Sequence, residues 1–139
     1  MKSMTTLLRV KQRELDALKR AQGILEKHRE EMYQVIDQLI SRLQEELKAA
    51  EKMPEMAQFF GDFSAHIKKR QEQIHVQIRK LEVELEKITS QIREIFSEMK
   101  KYELALKAFE KREADKVKRR EQQNMDEVGL RGYIRRDAT

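Results

Sequence analysis

Apolar residues in the second half of the chain recur at alternating intervals of three and four. One series, at seven-residue spacing, is Ile67, Ile74, Leu81, Ile88, Ile95, Tyr102 and Phe109. The interleaved series is Gln71, Ile78, Leu85, Ile92, Met99 and Leu106, so twelve of the thirteen positions are apolar. A spacing of 3.5 residues held for six heptads predicts the narrow seam of a coiled coil rather than the broad stripe of a helix on a globular core.

The first half repeats the pattern less strictly. Its two series are Leu8, Leu15, Gln22, Arg29, Ile36, Leu43, Ala50 and Met4, Lys11, Leu18, Leu25, Met32, Leu39, Glu46. Gln22 and Arg29 interrupt the seam in its middle. A second column, Tyr33, Ile40 and Leu47, runs beside it at the same spacing and widens the apolar face. That column is either packed under residues 53–63 folded back over it or left open as a docking patch.

Between the arms lie the one proline, Pro54, an interior glycine, Gly61, and a cluster of Met53, Met56, Phe59, Phe60 and Phe63. The pattern therefore predicts a first helix over 4–52, a tip over 53–63, a second helix over 64–122 and a frayed tail over 123–139. Residues 131–139 are expected to lack order on their own. The arms would extend roughly 75 and 90 Å at the rise of an α-helix. A connection of about ten residues holds them at an effective concentration on the order of millimolar, favouring an antiparallel pair within one chain. Leu43 then faces Gln71–Ile74, Leu8 faces Leu106–Phe109, and the second arm overshoots the first. The expected fold is all-α: a single elongated domain over 1–139, made of a long antiparallel two-helix coiled-coil hairpin with a short apolar tip and a basic C-terminal tail. A monomer is expected, with a parallel homodimer through the second arm as the alternative.

Composition sharpens this reading. Of 139 residues, 40% are charged, far above the roughly one quarter of an ordinary domain. Gly and Pro are scarce, at four and one, which disfavours an all-β chain with many turns. The net charge of +5 is uneven. Residues 1–63 hold eleven of each sign, residues 64–110 ten basic and eight acidic, and residues 111–139 nine basic and six acidic. The densest basic cluster is Lys116, Lys118, Arg119 and Arg120. With no Cys, disulfides, thiolate zinc sites and a cysteine nucleophile are excluded. No run reaches the ~18 apolar residues of a membrane span, and Met1-Lys2-Ser3 leads into no apolar block of a secretory leader. A soluble, intracellular protein is expected.

Catalytic chemistry finds no support in the pattern. There is no glycine-rich phosphate loop, and two helices side by side form no enclosing pocket. His28, His66 and His75 are scattered. Glu72 and His75 have the Glu-x-x-His spacing of di-iron bundles, but no second copy exists and Ile74 holds the seam between them. No enzyme, cofactor or metal is expected. A basic-zipper reading fails because the basic cluster follows the heptads instead of preceding them, so no nucleic-acid partner is expected.

The two ends carry more than periodicity. Met-Lys-Ser-Met-Thr-Thr-Leu-Leu-Arg-Val-Lys-Gln-Arg-Glu-Leu-Asp at residues 1–16 resembles the start of FliJ, the coiled-coil protein of the bacterial flagellar type III export apparatus. Glu121-Gln122-Gln123-Asn124-Met125-Asp126-Glu127-Val128-Gly129-Leu130 resembles that family's closing segment. Phe96-Ser97-Glu98-Met99-Lys100-Lys101-Tyr102-Glu103 resembles its late second helix. The resemblance spans nearly the whole chain in length and in helix–tip–helix order.

The resemblance implies a cytoplasmic, non-enzymatic stalk-type subunit, with its open end in the pore of the hexameric export ATPase FliI and the rest reaching the gate protein FlhA. Contact with the membrane would come only through partners, and export chaperones are a further partner class. Leu7, Leu8, Val10, Lys116, Lys118, Arg119 and Arg120 would face the ATPase. Tyr33, Ile40, Phe60, Phe63 and Ile67 would face the gate. The alternatives are the stalk of a virulence type III secretion system and a structural homodimeric coiled-coil tether.

Overall fold

The computed structural model describes residues 2–137. Two long helices, α1 (Lys2–Lys52) and α2 (Ala57–Asp137), are joined by Met53 and a single 3-10 turn, Pro54–Met56. No strand occurs among the described residues. The fold is an all-α helical hairpin whose helices pair antiparallel.

Pro54 causes the reversal. A proline disfavours helical backbone in the residue before it, and Met53 is extended, with φ −125° and ψ 97°. The Met53 N–H still closes the last turn of α1 by donating to the Ala49 carbonyl at 3.0 Å. The Met56 N–H donates to the Met53 carbonyl at 2.9 Å. Ala57 is already helical, with φ −61° and ψ −33°, so the chain enters α2 without a further loop.

The element bounds differ from expectation at both ends of α2. Residues 57–63, expected in the tip, are its first turns. Gly61 does not interrupt them because no described glycine takes positive φ. Half-buried Phe60 and Phe63 and buried Ile67 hold this segment against α1, outweighing the roughly 1 kcal/mol by which glycine trails alanine in a helix. Residues 123–137, expected to fray, continue α2. They stay helical despite Gly129 and Gly132, and Arg135 and Arg136 in the last turn complement the negative end of the helix dipole. Residues 138–139 of the expected tail lie outside the described residues.

The contacts group into two units. One spans Arg13–Ile95 and holds every buried apolar residue among those described: Leu15, Ile36, Ile67, Ile74, Ile78, Leu81 and Leu85. Its centre is Ile36 against Ile74 and Ile78, with Met32 and Leu39 packed on them. The other unit joins α1 up to Gln12 with α2 from Phe96 onward. Its seam residues, including Leu8, Met99, Tyr102, Leu106 and Phe109, are half-buried. All thirteen predicted α2 seam positions are buried or half-buried. On α1 the same holds for thirteen of fourteen, Glu46 being exposed.

Candidate interaction surfaces

In the unit spanning Arg13–Ile95, the column beside the α1 seam is uncovered. Tyr33, Ile40 and Leu47 are 41%, 41% and 43% exposed. Because residues 57–63 continue α2, no described segment folds back over these three side chains. The Tyr33 hydroxyl donates to Glu82 Oε1 at 3.4 Å, which holds the ring across the flank of the helix pair. Met53, Met56 and Phe59, at and just beyond the connection, are exposed as well.

The five residues expected to face a gate do not form one patch. Tyr33 and Ile40 lie on one flank of the seam. Phe63 lies on the other, beneath the guanidinium of Arg42, whose carbon stands 5.4 Å from the ring centroid. Phe60 is half-buried. Ile67 is 2% exposed and belongs to the seam, where its side chain is out of a partner's reach. Leu47 completes the exposed column. It was absent from the expected gate set, although the seven-residue spacing from Tyr33 and Ile40 marks it.

In the other unit, the expected ATPase-facing residues separate in the same way. Leu7 and Leu8 are half-buried between the helices, and Val10 is 44% exposed. Lys2, Thr5, Thr6, Arg9, Leu106, Phe109 and Glu110 line an open groove of about 470 Å³. The α1 chain thus begins beside Phe109 and Glu110, and Lys116 lies roughly 10 Å further along α2. Lys116, Lys118, Arg119 and Arg120 are all exposed, and Lys116 Nζ sits 3.3 Å from Glu113 Oε1. At helical spacing Lys116, Arg119 and Arg120 share a side, whereas Lys118 projects to the opposite one. Three of the four bases therefore lie on one side of the helix and one on the other.

Every residue from Glu110 to Arg136 is exposed. These include Val117, Met125, Val128, Leu130, Tyr133 and Ile134, each more than half exposed. None of them was singled out from the sequence for docking. One signal was available: Leu130 and Ile134 fall in the heptad phase of the seam, at a multiple of seven beyond Phe109 and Leu106.

Among the described residues, no three His, Cys, Asp or Glu side chains converge as a metal site. No described helix is long and apolar enough to cross a membrane. What the surface offers is apolar side chains among charges of both signs, with a basic excess.

The described residues thus form a two-helix antiparallel coiled coil with an uncovered apolar column in one unit and an exposed helical segment in the other. The chain belongs to the flagellar FliJ protein family, whose model matches residues 1–138. That membership makes it a stalk-type component of flagellar type III protein export, in a family that is non-enzymatic and cytoplasmic. No significant match was found among curated proteins or solved structures.

Proposed function

We propose that the chain is a non-catalytic stalk that docks on the export ATPase through the unit containing residues 96–137 and on the export gate through the Tyr33–Ile40–Leu47 column. The observation that carries this reading is the state of α2 beyond the seam. It stays helical while every residue from Glu110 to Arg136 is exposed, large apolar side chains among them. An isolated helix gains most of its stability from packing of an apolar face, so such a segment calls for a partner. Its exposed bases suit an acidic partner surface, such as the lining of a ring.

Gate docking draws on the exposed column alone. Tyr33 supplies a rigid aromatic anchor of the kind enriched at interface centres, and Ile67 serves the hairpin. The family match is to a flagellar model, which favours flagellar export over a virulence system. The work of such a stalk lies at the cytoplasmic face of the export apparatus.

One experiment tests both arms. The purified chain is added to the export ATPase and, separately, to the soluble part of the export gate from the same source. Binding is measured in both, and hydrolysis in the first. The expected result is binding to each and a changed hydrolysis rate, with Tyr33→Ala weakening only the gate arm. No binding to the ATPase at low salt would overturn the proposal.

A further inference from the structure

Heptad spacing alone does not fix how α1 aligns with α2, because a slide of seven residues returns apolar positions to apolar positions. The competing alignment is identifiable. It widens the connection by unwinding residues 57–63, which contain Gly61 and the exposed Phe59. The opposite slide unwinds residues 46–52, a run of Glu, Leu, Lys and Ala that favours helix strongly.

Three polar contacts separate the observed register from the widened one. Lys11, a seam position, reaches Glu98 Oε2 at 2.9 Å, and both side chains are partly buried. Gln22, also a seam position, donates from Nε2 to Thr89 Oγ1 at 3.4 Å. That hydroxyl donates in turn to the Leu85 carbonyl at 2.9 Å. Arg42 lies over Phe63. In the widened register Ala105 stands where Glu98 is, Phe96 where Thr89 is, and Arg70 where Phe63 is. Lys11 would then lose Glu98 and Gln22 would lose Thr89, each facing an apolar side chain instead, and two guanidiniums would meet.

We propose that Lys11, Gln22 and Arg42 form a register key that selects one antiparallel alignment of the hairpin. Lys11 also acts against self-pairing. In a parallel α1–α1 dimer Lys11 would face its own copy, as would Arg29, which is half-buried at a seam position. Polar residues at core positions specify alignment and partner number while lowering stability. The key therefore makes a counter-intuitive claim: removing it leaves the hairpin as stable or more so, but no longer unique.

The test uses the full chain, which has no native Cys. Arg20→Cys and Glu94→Cys, both at exposed positions, carry spin labels for distance measurement. The parent is expected to give one narrow distribution. Lys11→Leu/Gln22→Leu/Arg42→Leu is expected to keep its helicity and melting temperature. Its distribution should gain a second population reflecting a slide of roughly 10 Å, or its mass by light scattering should double. A single narrow distribution and unchanged mass would overturn the proposal. Should the triple variant lose helix, a charge swap decides. Lys11→Glu is expected to broaden the distribution and Lys11→Glu/Glu98→Lys to restore it; narrow distributions in both overturn the key.

Discussion

Ile67 and Ile40 were both expected at a docking surface, and the structure places them in opposite environments that one pair of substitutions separates. Ile67 is 2% exposed and Ile40 is 41% exposed. Truncating Ile67 to Ala removes three carbons at about 0.8 kcal/mol each, or about 2.4 kcal/mol of transfer free energy. The cavity left behind adds to this, moderated because two helices close in on a void more easily than a thick core does. A cost of about 3 kcal/mol results, within the usual range for such sites. Ile40→Ala removes the same atoms from a side chain already largely in water and should cost less than about 1 kcal/mol. Urea unfolding followed by far-UV circular dichroism measures both, with the midpoint shift converted at constant m. Equal costs, or a cost below about 1 kcal/mol for Ile67→Ala, would refute the division into buried seam and exposed column.

Gly23→Ala should stabilise the protein by about 1 kcal/mol, because a Cβ there meets nothing within 4 Å; a lower melting temperature would show that the glycine is needed. Changing Lys116, Lys118, Arg119 and Arg120 together to Ala should weaken binding to the export ATPase roughly tenfold at low ionic strength and flatten its salt dependence. Titrations at two salt concentrations check this, and unchanged affinity at low salt would remove the basic segment from the interface.

The seam was legible because a coiled coil writes its contacts into sequence at a fixed interval. Each α2 position from Ile67 to Phe109 that the interval selects is indeed withdrawn from solvent. Pro54 likewise marked the reversal, through a covalent constraint that acts on its immediate neighbour. The width of the connection was not legible. Gly61 argues for a break by its intrinsic propensity, whereas Phe60, Phe63 and Ile67 argue for helix by packing, and packing has no local signature. Which apolar side chains stay uncovered was the least legible part. Phe63 and Tyr33 look alike in sequence, yet the register sets one beneath Arg42 and leaves the other on the opposite flank beside Glu82.

The same seam bears on whether the chain acts alone or as a tether between identical copies. A parallel homodimer through α2 would require α1 to release all thirteen α2 seam positions, since each is already covered within the chain. Among them are Ile67, Ile74 and Ile78, at 2%, 2% and 3% exposure. The second copy would repeat those contacts with no gain in apolar burial. It would add the cost of association, which a four-residue connection spares the hairpin. Along the α2 seam, pairing between copies thus has a driving force only where the hairpin leaves it bare, from Glu110 to Arg136. There the seam phase carries Glu113, Lys116, Arg120, Gln123 and Glu127 before Leu130 and Ile134. Five polar positions in seven are a poor core for a helix of the same sequence. They suit a partner that supplies its own complementary charges.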